Sequence, residues 1–396
     1  MPAKPFVKWA GGKTQLLEIL RQKYPHRIEK YCEPFVGGGA VLFDVLNTFR
    51  PETVFINDIN KELINTYRQI RDAADVLIAQ LAEIQDTYRN QSLEKNKELF
   101  YEKRSRYNEL KMNGTAAENL EKAALFIFLN KTCFNGLYRV NSNGFFNVPF
   151  NNAKNPAICD AENLQECSRL LQNVEMLDGD YKNCRNFIDD KTFVYIDPPY
   201  RPLTQTSAFT SYSESGFSDK EQIELGSFIE ELSQKCAHIV ASNSDPKNAD
   251  ANDTFFDDLY SSFRIERISA SRMINSKSDG RGNINELLIT NREKTDYIPI
   301  ADFLEDAFSK YGELIHKFPI EKIKFNKNRL SYANPVFDST VNNIVYNFHE
   351  EGWEPISLDT DYYLRDGQHR LAAAKMMGLK YIDVVIFLWY KNGEKK

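Results

Sequence analysis

The stretch that decides the fold is "RIEKYCEPFVGGGAVLFDVL", residues 27–46, in which an apolar segment runs through three glycines into a second apolar segment. The pattern predicts a strand, a glycine loop and a helix, because glycine permits a tight turn and lets a ligand approach a helix N-terminus. The next segment, "ETVFINDIN" (52–60), predicts a second strand that ends at Asp58, where an acid can accept both hydroxyls of a ribose. These features predict a nucleotide-like site. GxGxxG is absent, so a dinucleotide is not specifically indicated and a plain structural turn is the alternative.

Helical and strand-like patterns follow one another along the rest of the chain. Residues 61–130 repeat apolar side chains at helical spacing, with an interruption at Asn113-Gly114. Asn143-Gly144 lies between "YRV" and "FFNV", which predicts a β-hairpin. After residue 170, "NVEMLDGDY", "TFVYIDPPY", "AHIVASNSD" and "NELLITN" predict strands, and "REKTDYIPI" (292–300) predicts a domain boundary.

Composition limits the class of protein. The chain has 396 residues, enough for two or three domains, and a net charge of −6, which argues against coating nucleic acid through bulk charge. Residues 121–155 hold four bases and one acid, and residues 264–282 hold five bases and two acids, so each stretch has a net charge of +3. Such stretches can bind a polyanion, and solvated loops are the alternative.

The cysteines and histidines do not predict a metal site. Six cysteines show no CxxC pairing and five histidines are scattered along the chain, which predicts a reduced protein without structural zinc. The sequence has no 18-residue apolar run and begins with a segment too polar for a signal peptide. We therefore expect a cytoplasmic protein with no membrane partner.

A second informative stretch is "KTFVYIDPPYRPL", residues 191–203, in which an apolar strand stops on Asp197-Pro198-Pro199-Tyr200. The prolines fix the backbone and remove two N–H donors, so the strand tip offers carbonyl and carboxylate oxygens beside an aromatic ring. Such a tip suits a planar ligand that carries an NH₂ group. Hydrogen bonds from the amine to Asp197 and the Pro198 carbonyl would favour a pyramidal nitrogen with its lone pair available for attack, while Tyr200 stacks on the ring.

Five motifs together resemble the Dam-type DNA adenine-N6 methyltransferases, the alpha class or D12 family: "FVKWAGGKTQLL", "EPFVGGGAVLF", "FINDINKELI", "FNGLYRVNSNGFFNVPF" and "YIDPPY" occur in the family's order. The resemblance implies an α/β, Rossmann-like methyltransferase with an inserted helical and hairpin DNA-recognition domain and a small C-terminal α+β domain. The implied domains are a catalytic domain (1–60 and 170–292), a target-recognition domain (61–169) and a C-terminal domain (301–396).

The resemblance also implies S-adenosylmethionine as the cofactor and assigns residues to its site. The implied cofactor-binding residues are Trp9, Ala10, Lys13, Phe35, Gly37, Gly39, Asp58, Asp180, Tyr181 and Asp197. The implied catalytic residues are Asp197, Pro198, Pro199 and Tyr200.

The implied partner is double-stranded DNA, from which the enzyme must flip the target adenine into the Asp197–Tyr200 pocket. In the family a motif of the form "NGLxR…NVPF" recognises GATC, so GATC is the expected site; Arg139 would pair bidentately with a guanine. Here "NVPFNNAKN" lacks the "NVPFGR"-like ending, so one basic contact to a phosphate or a base is either missing or supplied by Lys154. The implied DNA-binding residues are Lys131, Phe134, Asn135, Leu137, Arg139, Pro149, Lys154, Arg272, Lys277 and Arg281.

The last hundred residues carry a different resemblance. "RDGQHRLAAAKMMGLKYIDVVIF" is similar to the ParB/sulfiredoxin-like fold, in which this stretch begins a helix that holds a phosphate at its N-terminus. The resemblance implies that Asp366, Gln368, His369 and Arg370 form the polar tip, and that "IEKIKFNKNRL" is the opening strand. Nucleotide binding, DNA binding, nuclease activity and assembly all remain open for this segment.

Alternatives remain for the whole chain. The same chemistry could act on another recognition site, on cytosine N4 or on RNA, and a non-catalytic DNA-binding module is the alternative of another class. A cognate restriction endonuclease, acting as a separate protein, would make the chain part of a restriction–modification system, whereas phage and housekeeping roles need none.

Overall fold

The computed structural model describes residues 1–201, 217–235, 237–271, 283–291, 296–325, 336–346, 352–386, 390–391 and 394–395. The chain forms two compact units. The first unit comprises Met1–Lys23 and Ile28–Arg292, and the second comprises Tyr24–Arg27 and Glu293–Lys396.

The first unit contains a seven-stranded sheet and most of the helices. Its strands are β1 (Lys30–Glu33), β2 (Thr53–Asp58), β3 (Val174–Asp178), β4 (Thr192–Ile196), β5 (His238–Ser244), β6 (Arg264–Ser271) and β7 (Asn283–Thr290). Its helices are α1 (Leu17–Arg21), α2 (Ala40–Thr48), α3 (Lys61–Arg89), α4 (Leu93–Asn113), α5 (Asn119–Thr132), α6 (Ala161–Leu171), α7 (Asp219–Gln234) and α8 (Phe255–Leu259).

The sheet has the strand order β3-β2-β1-β4-β5-β7-β6. Neighbouring strands from β3 to β5 pair in parallel, whereas β7 runs antiparallel to both β5 and β6. The carboxyl ends of five parallel strands therefore meet at one edge, where open α/β sheets bind ligands. This mixed, parallel-rich α/β sheet agrees with the predicted Rossmann-like class.

The predicted strand, glycine loop and helix are confirmed as β1, residues 34–39 and α2. Gly39 precedes α2 with φ +76, a left-handed conformation that favours glycine. A Cβ at Gly39 would lie 2.4 Å from the Tyr67 hydroxyl, which itself donates to the Gly37 carbonyl at 3.0 Å. The loop is therefore held against α3. It can lie this close to the helix because glycine has no side chain.

Helices α3, α4 and α5 lie between β2 and β3 and confirm the helical prediction for residues 61–130. The predicted interruption is also present, since α4 ends at Asn113 and α5 begins at Asn119. Residues 123–130 of α5 are all buried, and α5 packs against α3 and α4. Whether this insertion is a separate target-recognition domain stays a prediction.

The predicted hairpin, residues 133–150, is present with little regular strand. Isolated β-bridges join Cys133 to Phe150 and Val140 to Phe146. At the tip, the Gly144 N–H donates to the Asn141 carbonyl at 2.8 Å, and Gly144 has φ +77. The Asn108 side chain on α4 bonds both the N–H and the carbonyl of Phe146, which anchors the hairpin to the helical insertion.

Strand β6 was not predicted, because its sequence was interpreted only as part of a basic stretch. Two of the five bases counted there have acidic partners: Arg264 pairs with Glu266 at 2.9 Å, and Arg267 pairs with Asp257 and the buried Asp245 at 2.8 and 3.0 Å. These two arginines stabilise the edge of the sheet, so the net charge of the stretch overstates what it can offer to DNA.

The second unit has its own sheet and core. Its elements are α9 (Asp302–Phe308), α10 (Asp338–Tyr346), α11 (Gln368–Met376), β8 (Glu313–Pro319), β9 (Ile356–Leu358), β10 (Leu364–Asp366), β11 (Tyr381–Ile386), β12 (Tyr390–Lys391) and β13 (Glu394–Lys395). Four strands form a sheet in the order β10-β9-β11-β8. The core includes Trp353, whose indole N–H donates to the Ile298 carbonyl at 3.1 Å.

The prediction that "IEKIKFNKNRL" is the opening strand of this unit is wrong for residues 320–325, and residues 326–330 lie outside the described part of the chain. The strand is β8, which ends at Pro319, and Ile320–Lys322 form a 3₁₀ turn. Ile320 and Ile323 are both buried and lie three residues apart, a spacing that suits a 3₁₀ turn and not a strand. The helix predicted after "RDG" is confirmed as α11, whereas the likeness to ParB and sulfiredoxin stays a prediction.

None of the helices in the described part of the chain combines the length and the apolar character that crossing a bilayer requires. Among the same residues, no group of three or more histidine, cysteine or acidic side chains is arranged to hold a metal ion.

Candidate active site

The Asp197–Tyr200 motif lies at the carboxyl end of β4, the central strand of the seven-stranded sheet. All five residues of β4 are buried, and so is Pro198, two residues after the strand ends. Two successive prolines end the hydrogen-bonded ladder because they have no N–H to donate. The backbone therefore leaves the sheet with Asp197 at its edge, and this carboxylate retains 19% side-chain exposure.

Both oxygens of Asp197 are held by neighbouring side chains. Ser242 on β5 donates its hydroxyl to Oδ1 at 2.9 Å, and the Tyr195 hydroxyl lies 2.9 Å from the same serine oxygen. Lys13 donates its ammonium to Oδ2 at 2.7 Å. An ionised carboxylate has about four acceptor positions, so these two bonds fix its orientation and leave room for a further donor.

Lys13 was predicted to line the cofactor site, and the structure places it against the Asp197–Tyr200 motif. Its ammonium also donates to the Gly11 carbonyl and to the Tyr200 hydroxyl, both at 2.8 Å, and only 3% of the side chain is exposed. Burial by itself would lower the pKa of Lys13, but the attraction of Asp197 and Glu286 exceeds this effect and raises the pKa above its usual value. Lys13 therefore carries a positive charge into the site at neutral pH.

The carbonyls of Pro198 and Pro199 differ in their hydrogen bonding. The Pro199 carbonyl accepts a hydrogen bond from the Gln222 side chain at 3.1 Å, and Asn243 holds that glutamine at 3.2 Å. Within the described residues no donor bonds the Pro198 carbonyl. The carbonyl predicted to accept an amine hydrogen is thus the one that the fold leaves available in this part of the chain.

Asp58 ends β2 and organises the glycine loop. Its Oδ2 accepts from the Gly37 N–H at 3.0 Å and its Oδ1 from the Asn60 N–H at 2.9 Å. Burial raises the pKa of Asp58 to about 6, although these two N–H donors act in the opposite direction. The carboxylate is thus oriented by backbone and is only partly ionised in mildly acidic solution.

The ends of β1, β2 and β3 are tied together beside Asp58. The buried Asn57 side chain donates to the Pro34 carbonyl at 3.2 Å and to the Gly179 carbonyl at 3.0 Å. Phe35 and Tyr181, both predicted cofactor residues, lie with ring centroids 5.2 Å apart and nearly parallel. Asp180 is exposed and its carboxylate accepts from the Lys182 N–H, so it caps a 3₁₀ helix.

Trp9 connects the glycine loop with the hairpin. A Cβ at Gly37 would lie 2.8 Å from Trp9 Cδ1, which shows how closely the indole covers the loop. The other neighbours of Trp9 are Tyr138 of the hairpin and Phe126 of α5, with ring centroids at 6.0 and 6.3 Å. Ala10, the next predicted cofactor residue, is exposed.

The hairpin exposes four of the ten predicted DNA contacts, namely Phe134, Asn135, Arg139 and Pro149. Phe134, with 51% exposure, lies next to Pro149, whose carbonyl accepts from the Phe134 N–H at 2.9 Å. Asn135 is exposed and has φ +54, an unfavourable conformation for most residues with a side chain. Arg139 is exposed, and within the described residues only its Nε is bonded, to Asn147 Oδ1 at 2.8 Å.

The remaining predicted DNA contacts differ in their surroundings. Leu137 is half-buried and Lys154 is exposed. Lys131 is partly buried, and this burial lowers the pKa of its ammonium, which makes it a poorer phosphate ligand than an exposed lysine. Arg272, Lys277 and Arg281 lie outside the described residues.

Sequence reasoning missed four side chains of the site: Ser242, Gln222, Asn57 and Glu286. Glu286 lies on β7 and accepts from the Tyr200 hydroxyl at 3.1 Å. The available signals were a polar run at the end of β5 ("ASNSD") and a single acid in an otherwise apolar strand ("NELLIT"). Neither signal identifies a partner, since Ser242 and Glu286 reach the motif only through the pairing of β5 with β4 and β7.

Comparison with known proteins agrees with this geometry. A family model described as D12 class N6 adenine-specific DNA methyltransferase matches residues 9–274. The type II methyltransferase M.MjaIII of Methanocaldococcus jannaschii is 45% identical over 74% of this chain and 100% of its own length. The type II methyltransferase M1.LlaDCHI of Lactococcus lactis subsp. cremoris is 38% identical over 73% of this chain and 95% of its own length. The DNA adenine methylase of Escherichia coli K12 is 31% identical over 72% and 94%, respectively.

These matches decide between the alternatives left by the sequence. The matched family is adenine-specific, which excludes cytosine N4 as the expected target, and it consists of enzymes, which argues against a non-catalytic module. The family implies S-adenosylmethionine as the methyl donor and DNA as the substrate. The chain belongs to the D12 class of N6 adenine-specific DNA methyltransferases.

Proposed function

We propose that this enzyme methylates the adenine of GATC in double-stranded DNA after flipping the base out of the helix, with S-adenosylmethionine bound beside the glycine loop. The observation that carries the proposal is the tip of β4, where an oriented carboxylate and an available carbonyl, those of Asp197 and Pro198, stand beside the Tyr200 ring.

The residues around the glycine loop fit the cofactor. Gly37 and Gly39 adopt positive φ and let Trp9 and Tyr67 pack directly against the loop, which holds its backbone in a fixed conformation at the N-terminus of α2. Asp58 has each oxygen bonded to one backbone N–H, and its remaining acceptor positions suit two ribose hydroxyls. The ring of Phe35, stacked on Tyr181, provides an apolar surface for the adenine of the cofactor.

The chemistry requires mainly orientation of the target amine. Once bound, S-adenosylmethionine supplies a methyl group on a positively charged sulfur. Asp197 and the Pro198 carbonyl accept the two amine hydrogens, which favours a pyramidal nitrogen with its lone pair directed at the methyl carbon. The new C–N bond would replace the bond between the methyl group and sulfur, whose electron pair stays on the sulfur, and the amine would release one proton, for which Asp197 is the adjacent acceptor. Ser242 and Lys13 hold this carboxylate in place, so little reorganisation accompanies the step.

Base flipping explains the exposed residues at the start of the hairpin. Turning out an adenine costs roughly a few kcal/mol of stacking and pairing. Phe134 presents a large exposed aromatic surface that can replace part of the lost stacking, and Asn135 can hydrogen-bond the orphaned thymine. These roles give a physical reason for an exposed aromatic residue beside an asparagine with positive φ.

Recognition of GATC is assigned to the exposed face of the hairpin. Arg139 directs its guanidinium to solvent with Nε bonded to Asn147, and a bidentate pair with guanine carries about 1–3 kcal/mol of discrimination. Leu137 and Pro149 offer apolar contacts for thymine methyl groups. Lys131 and Lys154 would contact the backbone, the first weakened by its partial burial. The relatives named type II methyltransferases further suggest a separate cognate endonuclease.

A methyl-transfer assay tests the proposal. The purified chain is incubated with labelled S-adenosylmethionine and duplex oligonucleotides that contain GATC or the same site changed at one position. We expect label on the GATC adenine with wild type, none with Asp197→Ala, and wild-type transfer with Glu175→Ala, a matched control carboxylate exposed on β3. Arg139→Ala should relax discrimination at one guanine while leaving turnover measurable.

The outcomes separate the parts of the proposal. If wild type transfers no methyl to any duplex, the proposed function fails. If it methylates adenine in another sequence, which long-read sequencing of DNA from an expressing host would identify, only the assignment of GATC fails. If 2-aminopurine at the target position shows no fluorescence increase on binding, base flipping fails.

A further inference from the structure

Glu286 is a second carboxylate in the site, contributed by a strand that does not carry the motif. It lies on β7 opposite Ser244 of β5, and its side chain is 13% exposed. Its Oε2 accepts from the Tyr200 hydroxyl at 3.1 Å and lies 3.9 Å from the Lys13 ammonium. Lys13 thus lies between two carboxylates, Asp197 and Glu286.

We propose that Glu286 is a positioning residue for methyl transfer, which fixes the Tyr200 ring and shares the Lys13 charge so that Asp197 remains a strong acceptor for the target amine. This inference rests on the proposed function of the Asp197–Tyr200 motif. Glu286 itself need not touch either substrate, because it acts through Tyr200 and Lys13.

Glu286 restricts the movement of the Tyr200 ring. A tyrosine held only at its Cα can swing about the Cα–Cβ bond, whereas hydrogen bonds at the hydroxyl fix the direction of the ring axis. The Tyr200 hydroxyl accepts from Lys13 at 2.8 Å and donates to Glu286 at 3.1 Å. Removal of the Glu286 acceptor loosens the face on which the target base stacks.

Glu286 also changes the charge balance around Asp197. Asp197, Glu286 and Lys13 sum to a formal charge of −1, and all three side chains are largely buried. Without Glu286, Lys13 would neutralise Asp197 in a 1:1 pair, and the carboxylate would attract an amine hydrogen and a neighbouring positive centre less strongly. Because charges interact more strongly away from bulk water, this change should affect the transfer step directly.

Two variants test the proposal with wild type as reference. Glu286→Gln keeps the shape and an acceptor oxygen for Tyr200 but removes the charge, and Glu286→Ala removes both. We expect single-turnover methyl transfer to fall about 10-fold in the first and about 100-fold in the second. The KM for S-adenosylmethionine should stay within about threefold of wild type, because transition-state positioning and not ground-state binding is lost. Glu266→Gln is the matched control, since Glu266 is a partly buried carboxylate on β6 that pairs with Lys23 and not with the motif.

A double-mutant cycle with Tyr200→Phe distinguishes positioning from a structural role. If Glu286 acts through the Tyr200 hydroxyl as well as through its charge, the roughly tenfold difference in rate between Glu286→Gln and Glu286→Ala should largely disappear in the Tyr200→Phe background, and Glu286→Ala should cost less there than in wild type. Equal effects in both backgrounds, or wild-type rates in both Glu286 variants, would overturn the inference. Loss of activity in Glu266→Gln as well would overturn it too, since any weakened strand would then suffice. Absence of methyl transfer by wild type would refute the proposed function itself.

Discussion

Cofactor binding should weaken about tenfold as the pH falls from 8 to 5, because Asp58 must be ionised to accept two ribose hydroxyls. Burial raises the pKa of Asp58 to about 6. The carboxylate is therefore about 99% ionised at pH 8 and about 9% ionised at pH 5. With an ordinary aspartate pKa, which is about 3.9, the carboxylate would remain ionised throughout this range and the affinity would not change.

The free energy of unfolding does not follow the same pH dependence as cofactor binding. The folded pKa of Asp58 lies above its unfolded value, so the contribution of this group to stability decreases as the pH rises from about 4 to about 6 and is most favourable in acid. Protonation of Asp58 thus weakens cofactor binding at pH 5 without destabilising the fold through this residue.

The assay is isothermal titration calorimetry with S-adenosylhomocysteine, which has the same ribose but no methyl group to transfer. Dissociation constants are measured from pH 5 to 8 in two buffers of different ionisation enthalpy, so that proton release on binding near pH 6 is detected directly. Asp58→Asn is the matched control: its amide cannot ionise, and its affinity should be lower than that of wild type at pH 8 but nearly independent of pH.

Two results would refute the reasoning. A wild-type affinity that is unchanged between pH 5 and 8 would mean that desolvation does not raise the pKa of Asp58. An equal pH dependence in Asp58→Asn would mean that another group titrates.

Three further perturbations probe the packing around the site. Gly39→Ala should lower the free energy of unfolding by about 1–3 kcal/mol in urea titrations, because its Cβ would meet the Tyr67 hydroxyl at a positive φ; unchanged stability would contradict this. Ser242→Ala should slow single-turnover methyl transfer about tenfold by removing one hydrogen bond to the motif aspartate, and an unchanged rate would show that this bond does not orient it. Tyr138→Leu should weaken cofactor binding about two- to tenfold in equilibrium dialysis, although the residue belongs to the hairpin, because its ring stacks on Trp9; equal affinity would contradict this coupling.

Features that depend on neighbouring residues could be predicted from the sequence. The path from β1 through the glycine loop to α2 is set by an apolar run, glycines and a second apolar run, all within twenty residues of one another. The hairpin tip was predicted from Asn143-Gly144, and Gly144 does adopt the positive φ that the turn requires. The end of β4 was predicted because prolines interrupt a strand wherever they stand.

Predictions from local sequence patterns missed or misassigned a segment where its tertiary surroundings determined its structure. Strand β6 has charged residues at Arg264, Glu266 and Arg267, and it forms because β7 pairs along its whole length. The isoleucines of "IEKI" predicted a strand, but their spacing of three matches the 3₁₀ turn that follows Pro319.

The sequence by itself determined which groups meet at the end of β4, because an acid, two prolines and a tyrosine are adjacent in the chain and their geometry is local. The tertiary structure alone decided which side chains hold those groups in place. Lys13 bonds Asp197 across 184 residues, Ser242 across 45, and Glu286 bonds Tyr200 across 86. Such pairs form when parallel and antiparallel strands bring distant carboxyl ends and turns to one edge of a sheet. Hydrogen bonds and burial depend on distance in space. The charge of Lys13 and the pKa of Asp58 therefore follow from the fold and not from the residues adjacent to them in the sequence.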